Sequence, residues 1–194
     1  DYYASRGLGD VYKRQIHNYP LVKIGTQYWM RDNLEASSYV GGEALPRLDA
    51  VTANVVGYLQ SATEHYFYTA NVVLSNKILP AHWSIPDWKD WNILKDYLNG
   101  EASLLKSGTW LPLKAGEQVQ SATNLSGFNG IPVGMYVGAF QTDYEKKHLA
   151  YWTLDNANAA IDIKVFYLKS DTDIIEESNA GVDTKAFAIR CIRK

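Results

Sequence analysis

A chain of 194 residues fits one domain comfortably and two small ones only with difficulty. Its 46% apolar and 21% charged content suits a globular protein with a substantial core, and its net charge of −2 argues against a nucleic-acid partner, which needs Lys and Arg gathered on one face. No apolar stretch approaches the roughly 20 residues of a membrane span, and the one cysteine, Cys191, excludes an internal disulfide and a multi-cysteine metal site.

The first fifteen residues stand apart. "DVYKRQ" is what one reading frame gives for the transposon end used in tagmentation sequencing libraries, and the chain begins without methionine. Residues 1–15 are therefore expected to be an adapter-derived artefact or a disordered lead, set aside from fold reasoning, with 16–194 as a single domain. On this reading the native N-terminus, with any signal peptide or lipid anchor, lies upstream.

From Tyr19 onward the pattern becomes regular. "PLVKIGTQYWMRDNL" alternates, breaks at Gly25 and resumes, which predicts two short strands joined by a turn. The segment from Ser37 to Ser61 reads as loop, with Gly41–Gly42 and Pro46 as breakers. A short helix is expected around Ala70 to Leu74, against the preference of Val72 and Val73.

"HWSIPDWKDWNIL" then raises the question of why three tryptophans crowd into thirteen positions. Pro86 stops a preceding strand; Asp87 is placed to cap a helix, with Asp90 in the capping-box position. Trp88, Trp91, Leu94 and Leu98 recur at helical spacing up to Asn99–Gly100, so they are expected on one inward stripe, with Trp83 covering the end of the core before the helix. An aromatic core anchor explains these indoles better than an exposed stacking platform, since each ring removes roughly 150–250 Å² from water when buried.

Glycines 127, 130, 134 and 138 show no phosphate-cradle spacing and read as bends between short strands. "AYWTLD" and "AIDIKVFYL" read as strands, the latter with Ile161, Ile163, Val165 and Tyr167 on one face. In "KAFAIRCI", Phe187, Ile189 and Cys191 alternate against Arg190, which is expected to hold a loop carboxylate. Many short strands with few helices indicate an α+β domain built on mixed or antiparallel sheets.

The segments "IGTQYWMRDNL", "YFYTA", "PAHWSIPDWKDWNIL", "LLKSGTW", "NLSGFNGIPVGMYVGAF", "YWT" and "FAIRCI" occur in the order seen in the Fibrobacter succinogenes major paralogous domain, which the chain resembles from Leu21 to Lys194. It departs at Ala81–Ser84, where that family has a Gly-Trp-His pattern, and at Asp87 and Asp90, which replace a Ser and Glu while keeping the capping chemistry. The resemblance implies a C-type-lectin-like fold, shared with formylglycine-generating enzymes, with two helices, a terminal strand closing beside the first, and a long irregular region presenting a ligand surface. It also implies a place at the cell surface or in secretion, since the family is common in such proteins of Bacteroidetes and Fibrobacteres. Fold likeness alone transfers no activity.

Catalytic and metal chemistry find little support. The calcium-site signatures of lectin-like domains, Glu-Pro-Asn or Gln-Pro-Asp followed by Trp-Asn-Asp, are absent, and the acidic run Asp171–Glu177 reads as a solvated loop. A copper oxidase needs a thiol pair, whereas Cys191 is alone and reads as a small buried hydrophobe. His17, His65, His82 and His148 are scattered, without metal-ligand spacing. No catalytic residue, metal or cofactor is assigned. Trp110, Tyr144 and His148, in polar loop-like surroundings, are the candidate ligand contacts, by stacking on sugar rings or as hot spots for a protein partner.

The expected function is a non-catalytic extracytoplasmic binding or adhesion module, with a glycan or surface protein as its ligand. The alternatives are an enzyme acting on a surface or plant polysaccharide and a structural spacer of a larger surface protein.

Overall fold

The computed structural model describes residues 19–140, 144–154, 162–181 and 183–194; Ile161 and the 1–15 lead fall outside them. Strands β1 (Leu21–Ile24) and β2 (Gln27–Met30) form the expected hairpin, Leu21 opposite Met30 and Ile24 opposite Gln27. Its turn holds Gly25 at φ +59°, where a Cβ would meet the Tyr97 ring at 2.9 Å, so both the backbone and the close approach call for glycine.

The loop-like stretch contains one strand that its composition does not announce, β3 (Tyr58–Gln60), which pairs antiparallel with β4 (Tyr66–Thr69). Helix α1 (Ala70–Ser75) follows at once and ends on Asn76 in the left-handed region, at φ 48°. Ala70, Val72 and Val73 are buried, so packing overrides the weak helix preference of the valines. β5 (Trp83–Ser84) precedes α2 (Trp88–Tyr97), which begins with a full capping box: Asp87 Oδ1 accepts from the Asp90 amide at 3.0 Å and Asp90 Oδ2 from the Asp87 amide at 2.9 Å. A short 3-10 turn (Ala102–Leu104) leads into irregular chain as far as β6 (Tyr136–Val137). The remaining strands are β7 (His148–Trp152), β8 (Asp162–Lys169), β9 (Glu176–Gly181), β10 (Lys185–Phe187) and β11 (Ile192–Arg193).

These strands form three antiparallel sheets, ordered β1-β2-β11-β5, β3-β4-β10-β6 and β7-β8-β9. The protein is thus an α+β fold of short sheets, with two α-helices among the described residues. The terminal strand lies between β2 and β5; the strand beside β1 is its own hairpin partner, contrary to the placement that the resemblance implies.

The third sheet separates two apolar clusters. Leu149 and Tyr151 of β7 with Phe166 and Leu168 of β8 face the first, while Ala150, Trp152, Ile163 and Val165 face the second. Both faces of this sheet are covered, which explains why its strands read as nearly unbroken apolar runs. Ile163, Val165 and Tyr167 do share a face, with Tyr167 at the edge of the second cluster.

Trp91 is the centre of the first cluster, with no exposed surface. Its ring stacks on Phe166 at 4.1 Å and on Tyr151 at 5.6 Å, and lies 4.8 Å from Trp29. Leu94 and Leu98 are buried beside it. Trp88 departs from the expected stripe: it is only half-buried and lies under the Lys164 ammonium, 4.1 Å from its ring centroid. Positions three apart on a helix differ by about 60° in direction, so Trp91 takes the centre of the buried stripe and Trp88 its margin. Trp83 is partly buried against the second cluster, where Phe187, Ile189 and Cys191 are fully packed.

Candidate functional site

The irregular segments 31–35 and 128–131 meet over one side chain, Arg190, which has no exposed surface. Its Nη1 donates to the carbonyls of Met30 (3.0 Å), Arg31 (2.6 Å) and Phe128. Nη2 reaches Asn33 Oδ1 at 2.7 Å, the Asn129 carbonyl at 3.3 Å and the Tyr151 hydroxyl at 2.9 Å, while Nε also donates to Asn33 Oδ1 at 3.2 Å. The guanidinium plane sits against Phe128, 4.4 Å from its centroid. Arg190 therefore staples loops, but to neutral oxygens: among the described residues no carboxylate hydrogen-bonds to it, which corrects the expected pairing. The planar fork reaches several carbonyls at once, and their dipoles replace a counter-ion at a position where a second charge would need desolvation of its own.

Over this staple lies a cleft of about 200 Å³ lined by Tyr19, Asp32, Asn33, Glu35, His65, Asn129, Ile131 and Arg190. Asn129 Nδ2 donates to Asp32 Oδ1 at 3.2 Å, and the Glu35 amide donates to the Tyr19 hydroxyl at 2.9 Å. Burial pushes the Tyr19 phenol up, so it stays protonated. Burial also lowers the His65 pKa, outweighing Glu35 and Glu145, and leaves a neutral imidazole at pH 7. Arg190 and Asn33 are held by their own hydrogen bonds and form a rigid floor; Asp32, Glu35, His65 and Asn129 supply the acceptors and donors that a ligand would meet. Among the described residues no serine, threonine or cysteine lines the cleft, so these residues offer no side-chain nucleophile of that kind. Among the described residues no group of three or more His, Cys, Asp or Glu is placed to hold a metal ion.

The residues singled out by sequence lie elsewhere. Trp110 is 6% exposed and belongs to the first core cluster, its Nε1 donating to the Ser107 carbonyl at 2.9 Å. His148 is a strand residue of β7, 8% exposed. Its Nδ1 has no hydrogen-bond partner among the described residues, and burial, with Lys169 nearby, lowers its pKa to about 4. Tyr144 is half-buried and meets the His148 ring edge-on at 4.9 Å. Tyr144 and His148 are brought together, but neither Trp110 nor His148 presents a face to solvent, because Trp110 packs into the first cluster and His148 is a buried residue of β7. These two ligand assignments are corrected.

Sequence reading missed Asp32, Asn33, Glu35, His65 and Asn129. The available signal was the placing of Asp32–Asn33 and Asn129 inside "YWMRDNL" and "SGFNG", polar side chains set within apolar or glycine-rich runs. The acidic run is committed to structure at Asp173, whose carboxylate accepts from the Ser103 amide and hydroxyl and so caps the 3-10 turn. Cys191 is buried, its thiol pushed up by desolvation, as for an inert core residue.

The sequence model of the Fibrobacter succinogenes major domain matches residues 22–193. No curated protein and no solved structure matches the chain. The match takes in every lining residue of the cleft except Tyr19, the capping box of α2 and the terminal strand, and the chain accordingly belongs to the Fibrobacter succinogenes major domain family.

Proposed function

We propose that this chain is a non-catalytic binding module of an extracytoplasmic protein, displaying a hydroxyl-rich ligand site, such as one for the edge of a sugar ring, on a lectin-like scaffold. One observation carries the reading. Asp32 and Glu35 share the cleft with His65 and Asn129, and neither carboxylate is in a salt bridge among the described residues. Carboxylate and amide side chains over a rigid floor suit vicinal hydroxyls, which donate to the first and exchange hydrogen bonds with the second. The cleft is smaller than the roughly 300–1,000 Å³ that encloses a typical small-molecule ligand, which favours capture of a terminal or protruding group over enclosure of a polymer for catalysis. Family membership supports the extracytoplasmic setting and a glycan or surface protein as the larger partner.

Titration of the protein with a panel of neutral mono- and oligosaccharides tests this reading. Binding should weaken at least about tenfold in Asp32→Ala, with the melting temperature unchanged because Asp32 is exposed. Equal binding by wild type and variant defeats the cleft assignment. Hydrolysis of a polysaccharide that disappears in Glu35→Gln would replace it with the enzyme reading, which the meeting of Asp32, Glu35 and His65 at one cleft favours.

A further inference from the structure

A second surface lies on the first sheet. Residues directly opposite in an antiparallel pair project to the same face. The register places Lys23 opposite Tyr28, Tyr28 opposite Arg193, and Arg193 opposite Trp83. One row therefore runs from edge to edge across β1, β2, β11 and β5 in the order cation, aromatic, cation, aromatic. At the other end of the same face Met30 and Cys191 are buried under the second cluster, whereas at this end Lys23 and Arg193 are exposed, Tyr28 is 44% exposed and Trp83 is partly so. The opposite face of these strands is closed by Trp29 and Ile192 in the first cluster, so the row stands on a packed support.

Among the described residues neither Lys23 nor Arg193 is in a salt bridge, whereas the adjacent Lys194 is paired with Asp87 at 3.2 Å and with Asp90 at 2.9 Å. Lys23 Nζ lies 5.6 Å from the centroid of the Tyr28 ring, which helps to hold that ring in place.

We propose that this row is a docking track for an extended acidic polysaccharide, a uronic-acid polymer in chemical class, with sugar faces stacked on Tyr28 and Trp83 and carboxylates paired with Lys23 and Arg193. The alternation repeats every two strands, about 9–10 Å given the usual strand separation. An extended uronate chain offers the complementary alternation of apolar ring face and anionic group. Arg193 presents a planar fork suited to a carboxylate. A nucleic acid would use the same chemistry, but two cations on a net acidic chain are few for a phosphate backbone. The row shares no residue with the Asp32 cleft, so it stands or falls independently of that reading.

The test uses polygalacturonate at low ionic strength, with a neutral β-glucan and oligothymidylate as comparisons. Wild-type protein should bind polygalacturonate in preference to both, and more weakly as salt is added. Affinity should fall at least about tenfold in the Lys23→Gln/Arg193→Gln double variant and in Tyr28→Ala, each with an unchanged melting temperature, while a Lys77→Gln/Lys114→Gln double variant, with the same loss of charge at exposed positions outside both sites, binds as wild type. Absence of polygalacturonate binding, full binding by the double variant, or tighter binding of oligothymidylate overturns the proposal. Loss of polygalacturonate binding in Asp32→Ala alone also overturns it, by moving the polymer to the cleft.

Discussion

Arg190 and Arg193 stand three residues apart near one end of the chain, and Trp88 and Trp91 stand three apart on α2. In each pair one member is inside and one is on the surface. Arg190 and Trp91 have no exposed surface, the first spread over carbonyls, an amide oxygen and a phenol, the second stacked among rings. Arg193 is exposed without a salt bridge among the described residues, and Trp88 is half-buried beneath Lys164. The same side chain is thus a structural element where it is enclosed, Arg190 with its donors engaged and Trp91 with its ring packed although its Nε1 finds no hydrogen-bond partner among the described residues, and a candidate contact where it is open. Residue type says what chemistry is available; the count of satisfied partners says whether any is left for a ligand.

The inner members should break the fold when altered. Trp91→Ala removes the ring that touches Trp29, Tyr151 and Phe166, and should cost about 3–5 kcal/mol. At roughly 2–4 °C per kcal/mol for a domain of this size, calorimetry would read this as a large fall in melting temperature. Arg190→Lys keeps the charge but loses the fork; several buried oxygens then lose their donor, at about 1–3 kcal/mol each before relaxation. A melting temperature unchanged in Arg190→Lys would show that the staple is dispensable.

A third interior group sharpens the contrast through pH. The folded-state pKa of His148 is lowered to about 4, first by burial and then by Lys169, against the opposing pull of Asp171 and Glu176, from an ordinary 6.5. Above pH 6.5 both folded and unfolded states are neutral there and its contribution is fully present. As the pH falls from 6.5 toward 4 the unfolded chain takes up the proton first, so stability is lost across that window. Chemical denaturation at pH 7 and pH 5 should show the decline in wild type, and a smaller one in His148→Gln.

The outer members should cost less. Trp88→Ala gives up a half-buried ring, roughly 75–125 Å² of apolar surface at about 25 cal/mol per Å², and its contact with Lys164, a loss of about 2–3 kcal/mol and less than for Trp91. Arg193→Gln should lie within about 0.5 kcal/mol of wild type by denaturant melts. A large loss of stability in Arg193→Gln would show that this side chain serves the fold and is not free for a ligand.

Much of the frame was legible in the sequence because it is local. Alternation around Gly25, the Asp87–Asp90 spacing after Pro86, and the Asn99–Gly100 stop each concern a few neighbouring residues. Each appears in the structure as a hairpin, a capping box and a helix end, with Asn99 at φ 53° and Gly100 at φ 77°. Trp110 shows where such reading stops. Its polar neighbours describe a loop, and the loop is real, but the Leu111 amide donates to the Lys146 carbonyl at 2.7 Å and Trp110 is carried into the core. Local polarity reports what the chain segment is, not what lies on top of it.

The sequence by itself determined most short-range elements and the α+β class, which depend on hydrogen bonds and side-chain periods within a few residues, and the family, which is written in the order of motifs along the chain. Tertiary structure alone decided which tryptophan is core, that Arg190 serves loop carbonyls, that Asp32 and His65 share a cleft, and that Lys23, Tyr28, Arg193 and Trp83 form a row. The physical reason is that burial, desolvation and cross-strand register are properties of segments brought together from across the chain. A sequence carries the chemical groups, but the number of partners each one finds is set only when those segments meet.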